Sequence, residues 1–285
     1  MILLLGESGY IGEAFKQRFV DKGIEFFGLS RSGMDYTNYE TIMHFLHANA
    51  ANFDILINCA GYVGKPNVDA CENNKEECIE GNVILPQMLS ALCSEVMIKF
   101  MHISSGCIYN GYDKEFTEED PPNFSFEQNN CSFYSGTKAL AEKLINKNNS
   151  YICRLRIPFD NINSPRNYLS KLMTYDKLLN MQNSISHRAD FVDACLHLYQ
   201  ENCIFGTYNI TNTGSVDTEQ VCSLIGKHLS INNFNFFDSE EEFYNIGATA
   251  PRSNCLLDNS KLLSTGFEMR TTEEALVDSL ERWEK

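Results

Sequence analysis

The chain has 285 residues, 43% of them hydrophobic, and its 38 Asp and Glu against 23 Lys and Arg give a formal net charge of −15. That length suffices for a sizeable core in one large or two modest domains. The acidic balance excludes an electrostatic nucleic-acid binder, which needs clustered Lys and Arg, and no run approaches the ~20 apolar residues that cross a bilayer. Eleven cysteines without paired CxxC spacing fit reduced thiols in the cytoplasm, so neither a disulfide framework nor a metal site is expected.

The opening MILLLG is too short for a secretory segment and lacks its charged flank; with Gly6 following at once, it predicts a first strand over 2–5. Further apolar runs predict strands over 24–29, 54–60, 98–104 and 151–157, with amphipathic helices over 10–22, 38–50, 82–96 and 134–147 between them. Strand and helix in alternation imply a doubly wound, Rossmann-like α/β domain with a parallel sheet and right-handed crossovers. The segment 110–133 is acidic, contains two prolines and reads as a long connecting loop. Beyond Pro158 the pattern changes. Residues 159–182 read as loop plus one helix, 187–200 as a helix, 206–211 as a strand and 273–284 as a helix. The expected division is a dinucleotide domain of 1–158 and 183–206, with a smaller substrate domain of 159–182 and 207–285.

Gly6, Gly9 and Gly12 fall between the first strand and the first helix. A tight turn there needs positive φ, and a pyrophosphate needs backbone approach without Cβ, against the free N–H groups of a helix start. Tyr10 and Ile11 inside the loop, with Asn58 and Ala60 at the end of the third strand, complete the expected cofactor set. The second strand ends in Ser30-Arg31-Ser32 where a NAD-selective fold places Asp or Glu. An arginine can pair with a 2′-phosphate, so Arg31 favours NADPH, with NADH still possible; the alternative is a solvated surface arginine.

Tyr134 and Lys138 lie four apart at a predicted helix start and so share a face. A nearby ammonium favours phenolate, which predicts a lowered Tyr134 pKa and a general acid/base near neutral pH. Ser105 closes the fourth strand and is placed to hydrogen-bond a carbonyl under reduction. Ser104, one position away, faces elsewhere.

In this order Gly6-x-x-Gly9-x-x-Gly12, NCAGYVGKPNVDACE, GNVILP, Ser105 with Tyr134-x-x-x-Lys138, NSPRNYLSK and APRSN resemble the sugar-nucleotide reductases of the extended short-chain dehydrogenase/reductase group, in the dTDP-4-dehydrorhamnose reductase branch. SGCIY, the run EEDPPNF to FYSGTKA and SPRNYLSK resemble in particular the bifunctional UDP-4-keto-6-deoxyglucose 3,5-epimerase/4-reductases, which form UDP-L-rhamnose. Two positions depart from that pattern: Ser105 stands for a threonine, and Gly136 for a lysine. The resemblance implies a UDP-sugar substrate, NADPH, a homodimer, and proton handling by Cys107 and Lys171 during epimerisation. The chemistry asks for such a pair. Protons at C3 and C5 are acidified by the C4 ketone, and inversion removes each from one face and returns it to the other. Asn82, Arg166, Asn167 and Arg252 are the expected substrate-binding residues, the arginines against the diphosphate. For Asn82 a helix cap, and for the arginines a salt bridge, are the competing readings. Two other functions stay open: a reductase without epimerase activity, and a non-catalytic reductase-like regulatory subunit.

Overall fold

A computed structural model of the protein describes residues 1–284. The first half alternates strand and helix: β1 (Ile2–Leu5), α1 (Tyr10–Lys22), β2 (Phe26–Leu29), α2 (Tyr39–Asn49), β3 (Ile55–Asn58), α3 (Lys75–Ile79), α4 (Leu85–Glu95), β4 (Lys99–Ser105), β5 (Gly111–Phe116), α5 (Phe133–Leu144) and β6 (Ser150–Leu155). The second half carries β7 (Pro158–Phe159), α6 (Tyr168–Thr174), β8 (Ser186–His187), α7 (Arg188–Gln200), β9 (Gly206–Asn209), α8 (Thr218–Leu229), α9 (Glu240–Ile246), β10 (Cys255–Leu257), α10 (Ser260–Leu263) and α11 (Thr272–Glu281). No helix among the described residues is long and apolar enough to cross a membrane.

Six strands form one parallel sheet in the order β2-β1-β3-β4-β6-β9. Every residue of β1 and β3 is buried, because a parallel sheet covered on both faces has no solvent side. The period of two sorts alternate residues into separate cores. Leu4, Ile57, Met101 and Cys153 pack with Phe15 and Phe19 of α1 and Phe191 and Leu198 of α7. Leu3, Leu56, Phe100 and Ile152 pack with Ile42 and Leu46 of α2 and Leu89 and Leu92 of α4. A third core, built from Phe159, Leu169, Ile185, Val221, Ile225, Leu276 and Leu280, belongs to the second lobe.

Three expectations are corrected. β9 was assigned almost wholly to the substrate lobe, yet it pairs with Tyr151–Arg154 as the sixth strand of the main sheet. Its Tyr208 and the following Ile210 face the same core as Cys153, which draws it there. The segment 110–133 is not an irregular loop. β5 within it pairs in parallel with β10, and Tyr109 stacks on Phe116 at 4.5 Å while its phenol donates to the Asp120 carbonyl at 2.7 Å. The helix expected from 82 starts earlier, at Lys75, and runs through a π turn at Glu80–Ile84 into α4. Asn82 therefore lies inside a helical turn and caps nothing.

Candidate active site

The glycine loop has the shape that its spacing predicts. Gly6 has φ +78° and lies so close to the third strand's exit that a Cβ would fall 2.7 Å from the Ala60 nitrogen. A Cβ on Gly12 would lie 2.0 Å from the Gly6 carbonyl oxygen. Gly9 precedes α1 without any side-chain cap, leaving the first-turn N–H groups of a 13-residue helix for a ligand. This cradle fits the pyrophosphate of a nicotinamide dinucleotide. Asn58 is fully buried, accepts from the Ala60 N–H at 3.0 Å and meets the His102 ring at 3.2 Å, so it shapes the loop from beneath. Arg31 is exposed in the turn after β2. Tyr10 turns away from the loop and donates to Asp160 at 3.2 Å.

Ser105, Cys107, Tyr134 and Lys138 meet where β4 ends against the start of α5. Ser105 accepts from the Cys107 N–H at 3.3 Å, opening a short 3₁₀ turn over Gly106–Ile108 that lifts the thiol beside the serine. Gly106 leaves room there for Leu257, whose side chain would have to shift for a Cβ 2.5 Å away. Ser132 caps α5, and Lys138 is buried, its ammonium donating to the Ile103 carbonyl at 3.1 Å. Burial pulls the Lys138 pKa down, with the acidic groups around it opposing. The predicted lowering of the Tyr134 pKa is not what the structure gives. Burial, aided by the Cys107 thiol, drives the phenol well above its ordinary value, against the opposing Ser105 hydroxyl. Tyr134 is thus a neutral phenol, the form that donates a proton. Cys107 is half-buried and its pKa is raised by burial, with the Ser105 and Ser135 hydroxyls and the Arg156 and Lys138 charges pulling the other way. Ser104 faces the opposite side and donates to Glu142 at 2.5 Å, inside a buried ion pair with Arg154 at 2.8 Å.

Lys171, Arg166 and Arg252 form a second group, on the other lobe. Among the described residues the Lys171 ammonium has neither a carboxylate nor a hydrogen-bond acceptor as partner. Burial depresses its pKa, and the Arg166 and Arg252 charges depress it further. Both arginines lie against the segment after β3: Arg166 donates to the Gly64 carbonyl at 2.9 Å, and Arg252 grips Asp69 through two bonds of 2.8 and 2.7 Å. The far end of that segment reaches the first group, where Glu72 accepts from the Phe133 N–H at 2.7 Å. Residues 64–72 thus run from the Arg166 and Arg252 side chains to the start of α5.

Three of the expected substrate residues are spoken for. Asn82 is fully buried, and its amide bridges both backbone groups of Tyr62 at 2.8 Å and reaches Thr137 at 3.2 Å, so it pins the segment after β3 to α5. Asn167 caps α6 through the Leu169 N–H at 3.0 Å and spends its amide on Asp160 and Ile162. Arg252 carries the salt bridge that was its competing reading. Sequence reasoning missed Asp69, Glu72 and Asp160; the first two find partners 183 and 61 residues away, and Asp160 reaches Tyr10, 150 residues away, as well as its neighbours Ile162 and Asn167.

Residues 1–285 match the family described as RmlD substrate binding domain. A bifunctional dTDP-4-dehydrorhamnose 3,5-epimerase/dTDP-4-dehydrorhamnose reductase of Arabidopsis thaliana is 32% identical over 234 residues, 78% of this chain and 74% of that protein. A trifunctional UDP-glucose 4,6-dehydratase/UDP-4-keto-6-deoxy-D-glucose 3,5-epimerase/UDP-4-keto-L-rhamnose-reductase of the same plant is 33% identical over 232 residues, 78% of this chain, but the match spans only 34% of that longer protein. The fold is that of the L780 UDP-rhamnose synthase from Acanthamoeba polyphaga mimivirus, at a TM-score of 0.89 with 22% identity over 99% of this chain and 98% of that one. It is also that of a dTDP-4-dehydrorhamnose reductase from Bacillus anthracis in complex with NADP, at a TM-score of 0.80 with 20% identity over 99% and 97%. With a whole-chain family match and a glycine cradle beside a serine, tyrosine and lysine, the chain belongs to the RmlD substrate-binding-domain family.

Proposed function

We propose that the protein is an NADPH-dependent 3,5-epimerase/4-reductase that converts UDP-4-keto-6-deoxy-D-glucose to UDP-L-rhamnose. The observation that carries this reading is the thiol of Cys107 beside the Ser105–Tyr134–Lys138 set, a group that reduction does not use. Cys107 stands beside Ser105 and Tyr134, while Lys171 lies on the other lobe, its pKa lowered by burial and by the Arg166 and Arg252 charges. A plain reductase needs only the Ser105–Tyr134–Lys138 set. The bifunctional plant relative and the mimiviral structure, named for epimerase/reductase and UDP-rhamnose synthase, support the same reading.

The environments suggest the order of proton transfer. Lys171, biased toward the amine, takes the proton from the carbon beside the C4 ketone, and Cys107, kept as a thiol by burial, returns one from the other face. Ser105 holds the C4 oxygen while charge builds on it. NADPH, once bound in the glycine cradle, supplies the hydride for C4. Tyr134, kept as a neutral phenol, protonates O4, and Lys138 stabilises the phenolate left behind. Arg31 would pair with the 2′-phosphate of bound NADPH, and Arg166 with the diphosphate of the substrate.

One incubation tests the reading. UDP-4-keto-6-deoxyglucose and NADPH in D₂O, followed by NMR, should give UDP-L-rhamnose carrying deuterium at C3 and C5. NADPH oxidation only with an already epimerised 4-keto sugar would reduce the protein to a 4-reductase. No oxidation with any 4-keto sugar nucleotide would leave a binding subunit.

A further inference from the structure

Tyr10 and Asn167 were expected to touch different ligands, yet both end on one carboxylate. Asp160 Oδ1 accepts from the Tyr10 phenol at 3.2 Å, from the Asn167 amide at 2.9 Å and from the Ile162 N–H at 3.1 Å. Its Oδ2 forms an ion pair with Arg188 Nε at 3.0 Å, and the Arg188 guanidinium lies 4.2 Å from the centre of the Tyr10 ring. Three members of the hub are buried, Asp160 at 5% exposure, Arg188 at 8% and Asn167 at 0%, and Tyr10 is half-buried beside them. It joins the first turn of α1, the cap of α6 and the first turn of α7.

We propose that Asp160 is a positioning residue that ties the cofactor loop to the lysine helix, so that cofactor and sugar nucleotide bind cooperatively through it. The inference rests on the functional reading above. Tyr10 directly follows Gly9, so a diphosphate settling on the first-turn N–H groups of α1 fixes its backbone and, through the phenol, Asp160. At seven residues, α6 is too short to hold itself and depends on its Asn167 cap and on packing. That cap is oriented by Asp160 in turn. The helix it starts carries Lys171, and Arg166 immediately precedes the cap. Whatever steadies Asp160 therefore steadies the residues that meet the sugar nucleotide, and linkage makes the effect reciprocal.

Asp160→Asn strips Arg188 of its buried counter-charge and endangers the fold, so Tyr10→Phe is the variant of choice; it removes one hydrogen bond and keeps the ring under Arg188. UDP is titrated calorimetrically into wild type and Tyr10→Phe, each with and without saturating NADPH. In wild type NADPH should tighten UDP binding about fivefold, the ratio that one hydrogen bond of ~1 kcal/mol sets. In Tyr10→Phe the ratio should fall toward one. General destabilisation would weaken each affinity but leave the ratio. A wild-type ratio of one, or an unchanged ratio in Tyr10→Phe, overturns the inference alone. Failure of wild type to bind UDP or NADPH at all overturns the functional reading and this inference with it.

Discussion

Gly12→Ala is the most direct test of the cofactor cradle, because the structure separates space from backbone conformation. A methyl group at position 12 would lie 2.0 Å from the Gly6 oxygen, 2.8 Å from the Gly6 carbon and 2.9 Å from the Glu7 Cα, all backbone atoms. Ordinary contact begins above 3.4 Å, so the loop must move by more than an ångström. It cannot retreat, since Gly6 already sits against Ala60. Overpacking of this kind costs about 1–3 kcal/mol. If that strain is released only by displacing the loop from its binding shape, NADPH affinity falls by roughly fivefold to a hundredfold, at ~1.4 kcal/mol per decade. Gly23→Ala is the control. Gly23 has φ +64° but nothing within 4 Å of its would-be Cβ, so alanine there strains the backbone and touches no loop. Fluorescence titration of NADPH together with thermal denaturation distinguishes the two. Gly23→Ala should lower Tm and leave the Kd unchanged, whereas Gly12→Ala should lose affinity. Wild-type NADPH affinity in Gly12→Ala would refute the cradle.

Tyr134→Phe removes the proton donor and keeps the ring, so kcat for reduction should fall by about 10²–10⁴ with little change in KM, while NADPH binding by titration persists. Lys171→Met should abolish deuterium uptake at C3 and C5 and raise Tm at neutral pH. The Lys171 pKa is lower in the folded chain than in the unfolded one, so folding is penalised below the folded value and stability recovers as pH rises from there toward the ordinary lysine pKa. The Tm advantage of Lys171→Met should therefore shrink at alkaline pH, and a constant advantage would contradict the depressed pKa. Ser104→Ala deletes a buried hydrogen bond to Glu142, the salt-bridge partner of Arg154, and should cost about 1.5–3 kcal/mol in urea unfolding, with kcat/KM for reduction unaltered.

How much of this was legible without coordinates follows from how far each signal reaches. Fully buried strands announce themselves as unbroken apolar runs, and the spacing of Gly6, Gly9 and Gly12, or of Tyr134 and Lys138, is set by one turn of chain. β9 was misassigned because a short apolar strand does not say which sheet it joins; only the packing of Tyr208 beside Cys153 decides that. Asn82 and Asn167 were expected to face substrate because an asparagine carries no mark of whether its amide is already taken. Their partners, Tyr62 and Asp160, lie 20 and 7 residues away, and only the folded path of the chain brings them within reach. The direction of the Tyr134 pKa failed for a related reason. Its neighbouring lysine is visible in the sequence, but the extent of burial that overrides it is not.

The pairing of β5 with β10 sets a timetable for synthesis. Gly111 pairs with Cys255, and the Tyr109 carbonyl accepts from Ser253, 144 residues later in the chain. Gly106, next to the thiol, rests on Leu257. At roughly 5–20 residues per second, the segment bearing Ser105 and Cys107 leaves the ribosome about seven to thirty seconds before its cover. The glycine cradle and most of the parallel sheet can form during that interval, while the thiol stays open to solvent and oxidants. Ability to hold the dinucleotide should therefore precede ability to move substrate protons during synthesis of the chain.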